Sequence, residues 1–442
     1  MNVAFIVPRY GAEILNGPEH HCRLIAERLS AIHKVEVLTT CASDDATWDN
    51  AYPEGTDRIR GVTVRRFANA ESRDAAAFEA CSERVFGTPH SAQDEELWLR
   101  RRGPWCPALI EYLEQKHRTY DTLIFFSGLH ATTVQGLRVH PKRSILVPAL
   151  RDEPALGLEL CKEIFSLPAG IAYTTTVERG LVRSRFRVRA QAEDVVGCGV
   201  DLPHGLDPLQ PEPVDDSDED DEPADGNGWN APTRGALFRR RHRLFRPFAL
   251  CTGRVRPGKG CEELIEYFGR YAAQQGDAEL ALMGVKLMEI PDEPFIRLAG
   301  TLAENNRLEA FGAATVVLAP APRDSLALHV LEAFAAGTPV LANARSDVLT
   351  DHCQRSDAGL YYADGDEFVE CLQLLVGNAE LREKLGRNGR RYVAEQYSWQ
   401  AVLDKYEQLI AAVAPRRSTR ATGGRSRGGQ SRPRRGREPR NR

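Results

Sequence analysis

The chain has no run of about twenty apolar residues, so no segment reads as a membrane-spanning helix. Its first residues, MNVAFIVPRYG, carry too short an apolar run for a secretory signal peptide and no basic stretch ahead of it. The ten cysteines are scattered from Cys22 to Cys371 without a C-x-x-C pair. That spacing suggests reduced thiols in a cytoplasmic protein rather than a disulfide frame or a zinc site. The loop after the first apolar run, GAEILNGPE at 11–19, does not fit G-x-G-x-x-G, which argues against an NAD enzyme. A net excess of either charge is also nearly absent, since 58 Lys and Arg face 62 Asp and Glu. The net charge is −4 with 42% apolar residues, as in an ordinary soluble globular protein. That balance conceals two biased segments. Residues 212–225 are almost all acid and proline, and residues 416–442 hold eleven arginines against one glutamate.

What is present is an alternation of buried-strand runs and helices. At 442 residues the chain has room for two domains with a core in each. Apolar runs at 3–7, 35–39, 61–66, 122–126 and 144–147 alternate with helical stretches at 19–30 and 107–115. A second series repeats the plan, with strands at 248–251, 279–284, 315–318 and 339–342 and helices at 262–273, 306–313 and 329–336. Such alternation predicts an α/β fold of two Rossmann-like, doubly wound domains whose parallel sheets are covered on both faces. The expected division is 1–206, a disordered acidic-to-basic linker or insert at 207–245, a second domain at 246–396, a terminal helix at 397–414 and a disordered tail at 415–442. Two such domains leave a cleft at the carboxyl ends of their strands, where ligands of this class bind.

The richest stretch is PAPRDSLALHVLEAFAAGTPVLAN at 320–343. It reads as loop, helix and strand, with Gly337 and Pro339 ending the helix. A helix N-terminus offers unpaired amides and a positive dipole end, which suits a phosphate on the amides of Leu326, Ala327 and Leu328. Asp324 before the helix and Glu332 about two turns inside it could hold sugar hydroxyls on either side. A second motif, GRVRPGKG at 253–260, sets Arg254 and Lys259 beside a turn after a strand. Two cations there suit a diphosphate leaving group. Gly253 and Gly17 give their loops the backbone freedom to approach a ligand closely.

These motifs resemble the family-4 retaining glycosyltransferases of GT-B architecture. The family's Glu-x7-Glu becomes Asp324 and Glu332 here, and its Gly-Arg followed by Lys-Gly falls on Gly253, Arg254, Lys259 and Gly260. RYG near 10, LTTCASDDATW near 40, VRRF at 64–67, RRGPWCPALIEYL at 101–113 and GCGVD at 197–201 resemble one bacterial subgroup of that family. So do RSDAGLYY, GRNGRRYV and YSW in the second half. The resemblance implies transfer of a sugar from a nucleotide-sugar donor, without metal or other cofactor, to a hydroxyl of a glycan or lipid-linked acceptor. It also implies that the last helix, with Val402, Tyr406, Leu409 and Val413 on one face, crosses back to the first domain. Arg254 and Lys259 would take the departing diphosphate, Asp324 the donor sugar and Glu332 the ribose.

Three positions depart from the family pattern. Asp324 is one methylene short of glutamate, Ala327 replaces glycine or serine, and Arg151 in PALRDEPA replaces a histidine that faces the reacting sugar. Arg151 could hold an anionic sugar or phosphate, mark a lost activity, or simply form a surface pair with an acid. The alternative to a transferase is therefore a GT-B protein that binds a nucleotide sugar without transfer. An epimerase or phosphorylase of the same architecture is a third reading, although the cofactor-lysine context of a phosphorylase is missing. His329 reads as a structural helix residue. The tail offers RNA binding, peripheral contact with anionic lipid at the inner face of a membrane, pairing with residues 212–225, or plain solubility. No aromatic residue interleaves its arginines, which argues against nucleic acid.

Overall fold

A computed structural model describes residues 1–14, 17–203, 231–274, 276–301 and 306–415. The first sheet contains β1 (Asn2–Ile6), β2 (Lys34–Thr40), β3 (Gly55–Ile59), β4 (Val62–Phe67), β5 (Thr122–Phe126), β6 (Ser144–Val147), β7 (Gly170–Tyr173) and β8 (Ala192–Val195). They lie in the order β3-β4-β2-β1-β5-β6-β7-β8. All pairs are parallel except the β3–β4 edge. The second sheet contains β9 (Phe248–Val255), β10 (Glu279–Lys286), β11 (Ile296–Leu298), β12 (Val316–Ala319), β13 (Val340–Asn343) and β14 (Gly359–Tyr362). Its order is β11-β10-β9-β12-β13-β14, parallel throughout.

Burial explains why these strands read as continuous apolar runs. All five residues of β5 and all four of β6, β7, β12 and β13 are buried, because helices cover both faces of each sheet. Both sheets reverse their direction of winding once, between β1 and β5 and between β9 and β12. Ligands of doubly wound sheets bind outside the strand ends at such a switch point. Each half is thus the α/β unit expected of the GT-B architecture.

The carboxyl edges of the two sheets meet. Thr174, just after β7, donates its hydroxyl to the Ser325 carbonyl after β12 at 3.2 Å. Thr176 donates to Asp351 Oδ2 of helix Asp347–Ser356 at 2.6 Å. Helix Trp399–Val413 lies on the first sheet, with Val402, Tyr406, Leu409 and Val413 buried among Val3, Phe5, Ile145 and Ala172. Its start is fastened by Trp399 Nε1 donating to Asp201 at 2.8 Å and by the Arg28 guanidinium 3.5 Å over the Trp399 ring. A cation–π contact of this kind is worth about 0.5–2 kcal/mol.

Two expectations need correction. The segment 207–245 was expected to be loosely held, but its basic end forms helix Ala231–His242, with Phe238 and Leu244 fully buried against Ala310, Phe311 and Ala313. Two apolar side chains within a run of arginines are enough to anchor it, and Arg239 also donates to the Ala313 carbonyl at 2.7 Å. The strand expected to end at residue 251 continues to Val255, because β10 pairs with it residue for residue as far as Lys286. Gly253 and Arg254 therefore sit at a strand end, and the turn begins at Arg256. The acidic run at 212–225 and the arginine tail at 416–442 lie outside the described residues. No described helix is long and apolar enough to cross a membrane.

Candidate functional site

The loops after β9 and β12 are joined by a close backbone approach. Gly260 precedes helix Cys261–Ala273 with φ +74°, and a Cβ there would lie 2.1 Å from the Pro320 carbonyl oxygen. Only glycine fits both the left-handed conformation and the gap. Gly253, at φ +110°, sits opposite Gly284 in β10. There the Gly253 carbonyl oxygen fills the place of a Gly284 Cβ, at 1.6 Å. Arg254 at the strand end is exposed, and Lys259 in the turn is half-buried.

Across this junction, Asp324 folds onto its own loop. Its Oδ1 accepts from the amides of Leu326 at 3.1 Å and Ala327 at 2.9 Å. Two of the three amides expected to face a diphosphate are thus turned onto the aspartate. The cause is side-chain length, since an aspartate closes readily onto amides two and three residues ahead. Burial favours the neutral acid of Asp324, but His329, the two amides and Lys259 outweigh it and hold the carboxyl below its usual range. His329 is itself pushed down by burial, against the pull of Asp324. Lys259, Asp324 and His329 therefore form one electrostatic group. His329, read from sequence as merely structural, belongs to it.

Ala327 stands before helix Leu328–Ala336 at φ 55°, ψ 37°. A side chain in this left-handed region costs about 1–2 kcal/mol. The Asp324 bond to the Ala327 amide holds that conformation in place. Leu326 and Leu328 pack against the core of the first sheet, so the loop after β12 is also a wedge between the two halves. Glu332, inside the helix, accepts from Arg307 Nη2 at 2.5 Å. A ligand hydroxyl would meet a carboxylate already fixed by a cation.

On the first sheet the cleft edge carries a different set. Gly17 opens helix Gly17–Leu29 with φ +75°, and Glu19 two residues on is buried against Arg9 at 3.3 Å. Ser127 after β5 and Ala149 after β6 both have positive φ, 74° and 53°. Such strain concentrates at functional sites. The Ser127 hydroxyl is 2.9 Å from His130 Nδ1. Burial and the cations Arg102, Arg9 and Arg73 push His130 down to about 3, so the imidazole is neutral. Arg151 is exposed, and its charge acts on Arg102. The surface pair considered for it does not form with Asp152, which binds Arg185 at 2.6 Å.

Glu178 ties the two edges together. Its carboxylate is fully buried in the first half and accepts from the Leu150 amide at 2.6 Å, the Thr174 amide at 2.7 Å and the Thr174 hydroxyl at 3.0 Å. It thereby positions the residue before Arg151 and the residue that touches Ser325. Burial raises it to about 7, against the opposing effect of those donors. Its one sequence signal was the capping pattern Thr175-x-x-Glu178, which says nothing of a tertiary role. Among the described residues, no three His, Cys, Asp or Glu side chains are gathered as metal ligands.

Residues 270–408 match a family model described as Glycosyl transferase-like. Solved structures extend the likeness to the whole fold. Sucrose-phosphate synthase of Thermosynechococcus elongatus superimposes with TM-score 0.62 at 19% identity, over 93% of this chain and 99% of that one. The HepE protein of Anabaena, solved with UDP, gives TM-score 0.62 at 13% identity over 93% and 99%. A glycosyltransferase of Rickettsia africae gives 0.60 at 11% identity over 93% and 98%. These likenesses establish the GT-B fold across both sheets.

Proposed function

We propose that the protein is a retaining, metal-independent glycosyltransferase of family 4, moving a hexosyl or related sugar from a nucleotide sugar to a hydroxyl of a glycan or glycolipid. The observation that carries this reading is the contact of Gly260 with Pro320 at the β9/β12 switch point, which brings the turn bearing Lys259 against the loop bearing Asp324, itself joined to the carboxyl edge of the first sheet through Thr174 and Ser325. In it, Arg254 and Lys259 neutralise the diphosphate as it departs. Asp324 orients donor-sugar hydroxyls through the oxygen left by its two amide bonds, and Glu332 takes the ribose. Gly17, Gly253 and the 326–328 loop let backbone approach the donor. The acceptor enters from the side of Arg151, on the same face that the leaving group vacates, with no protein nucleophile. Catalysis is then positional and electrostatic. The protein works in the cytoplasm, and the arginine tail would hold it near anionic lipid where lipid-linked acceptors lie.

A second reading, a nucleotide-sugar binder without transfer, is favoured by the strained Ala327 and by the loss of two amides to Asp324. Melting temperature in a panel of UDP-, GDP-, ADP- and dTDP-sugars separates these readings from failure, because a ligand of the folded state alone must stabilise it. UDP-sugars head the panel, since the HepE relative was solved with UDP. The expected result is stabilisation by one base, abolished in Arg254→Ala and Lys259→Ala, with diphosphate release on turnover. Binding without release supports the second reading. No stabilisation by any nucleotide refutes both.

A further inference from the structure

The first sheet's switch point carries more positive charge than the proposed chemistry uses. Arg9 leaves β1, Arg73 lies in the loop beyond β4, Arg102 ends helix Ala92–Arg102 and Arg151 follows β6. Arg9, Arg73 and Arg102 all act on His130, and Arg73 and Arg151 act on Arg102. The facing acids are fewer. Arg9 has Glu19 and, at 3.6 Å, the exposed Asp45, which also acts on Arg73, whereas Arg102 faces Glu153. The Nε atoms of Arg73 and Arg102 are buried with no hydrogen-bond partner among the described residues. A buried guanidinium N–H left unpaired costs free energy that an anion would recover.

A cavity of about 210 Å³ opens beside Arg73, walled by Trp48 and Trp105, with Arg73, Arg100 and Arg101 against two acids, Glu71, which Arg100 holds at 2.7 Å, and Asp74, which accepts from the Ala77 amide at 3.0 Å. It is smaller than the roughly 300–1,000 Å³ of drug-sized pockets, as suits one ring or one charged group. Trp48 connects cavity to cluster: its ring meets His130 edge-on at 5.6 Å and its Nε1 donates to the Arg102 carbonyl at 2.9 Å. Aromatic walls beside guanidinium groups whose Nε–H is left unpaired, although Arg73 Nη1 still donates to the Asp45 carbonyl at 3.1 Å, match a sugar with a negative substituent.

We infer that Arg73 and Arg102, with Arg9 and Arg151 around them, form an acceptor subsite for an anionic sugar bearing a carboxylate or a phosphate. The inference rests on the transferase reading, since it makes this edge the acceptor side. Arg151, in place of a neutral side chain, then adds to the same anion field.

The test titrates the full chain with D-glucuronate, D-glucose 6-phosphate and D-glucose, with and without UDP, reading melting temperature and calorimetric affinity. One or both charged sugars should bind at least about 10-fold more tightly than glucose, and whichever responds identifies carboxylate or phosphate. Arg73→Ala should remove that preference and Arg73→Lys should restore part of it. The response should survive Lys259→Ala, which separates it from the donor-diphosphate site. Arg102→Ala gives a second reading where it folds, and Arg73, nearer the surface, decides where it does not. Equal binding of charged and neutral sugars, no binding of either charged sugar, or a charged-sugar response lost only in Lys259→Ala would overturn the inference. Loss of UDP binding in the wild type would count against the transferase reading alone, because the titrations without UDP still decide this one.

Discussion

The two sheets share one strand order around their switch points, yet they assemble their cleft-side groups differently. At β9 and β12 the groups come from two short segments, 253–260 and 320–332, locked by the contact of Gly260 with Pro320. At β1 and β5 they come from residues 9, 73, 102, 130 and 151, delivered by five separate pieces of chain. The first arrangement is local and therefore stiff, which would suit the diphosphate of the proposed donor. The second is a tertiary assembly, free to vary while the fold stays constant.

The largest expected effect breaks the local arrangement. Gly260→Ala adds a Cβ 2.1 Å from the Pro320 oxygen in a left-handed residue. It should cost about 3 kcal/mol and lower melting temperature and nucleotide affinity together. A variant with unchanged stability would mean that the two loops are not in contact.

A comparable effect probes the joint between the sheets. Glu178 is raised from 4.5 to about 7. The folded protein thus holds this proton more tightly than the unfolded chain does. Its contribution is complete below the unfolded value and is lost as pH rises through about 7. The difference is worth at most about 3 kcal/mol. Glu178→Gln carries no such titration, so the melting-temperature gap between wild type and variant should narrow from pH 5 to pH 8. A gap that widens would place the carboxylate in a stabilising environment instead.

The smallest effect sharpens the comparison at one residue. Ala327→Gly removes the left-handed strain at φ 55°. Part of the gain is offset by the greater freedom of glycine in the unfolded chain. Denaturant unfolding should show stabilisation of about 1 kcal/mol or less, with nucleotide binding retained.

These contrasts also govern what could be read in advance. Strands buried on both faces announce themselves as apolar runs, and 122–126 and 144–147 were located to the residue. The polar edge strand β8, Ala-Glu-Asp-Val and only half-buried, gives no such run. Helix Ala231–His242 was obscured by its arginines, because two anchoring side chains do not make a visible period. In the site, Lys259, Asp324 and Glu332 stood out through short-range spacing. His329 did not, because its meaning comes from the lysine and the acid that face it. Arg73, Arg102 and His130 had no mutual spacing at all. Their association is created by the order of strands, which sequence periodicity does not encode.

The proposed retaining transfer at the β9/β12 switch point is tested most directly by incubating the protein with the nucleotide sugar that stabilises it, without acceptor, and following the anomeric proton by NMR. Water should then take the acceptor's place slowly, releasing the nucleoside diphosphate and a sugar of the donor's own anomeric configuration, and Lys259→Ala should stop it. Release of the opposite anomer, or turnover that persists without Lys259, would be incompatible with the proposed site and mechanism.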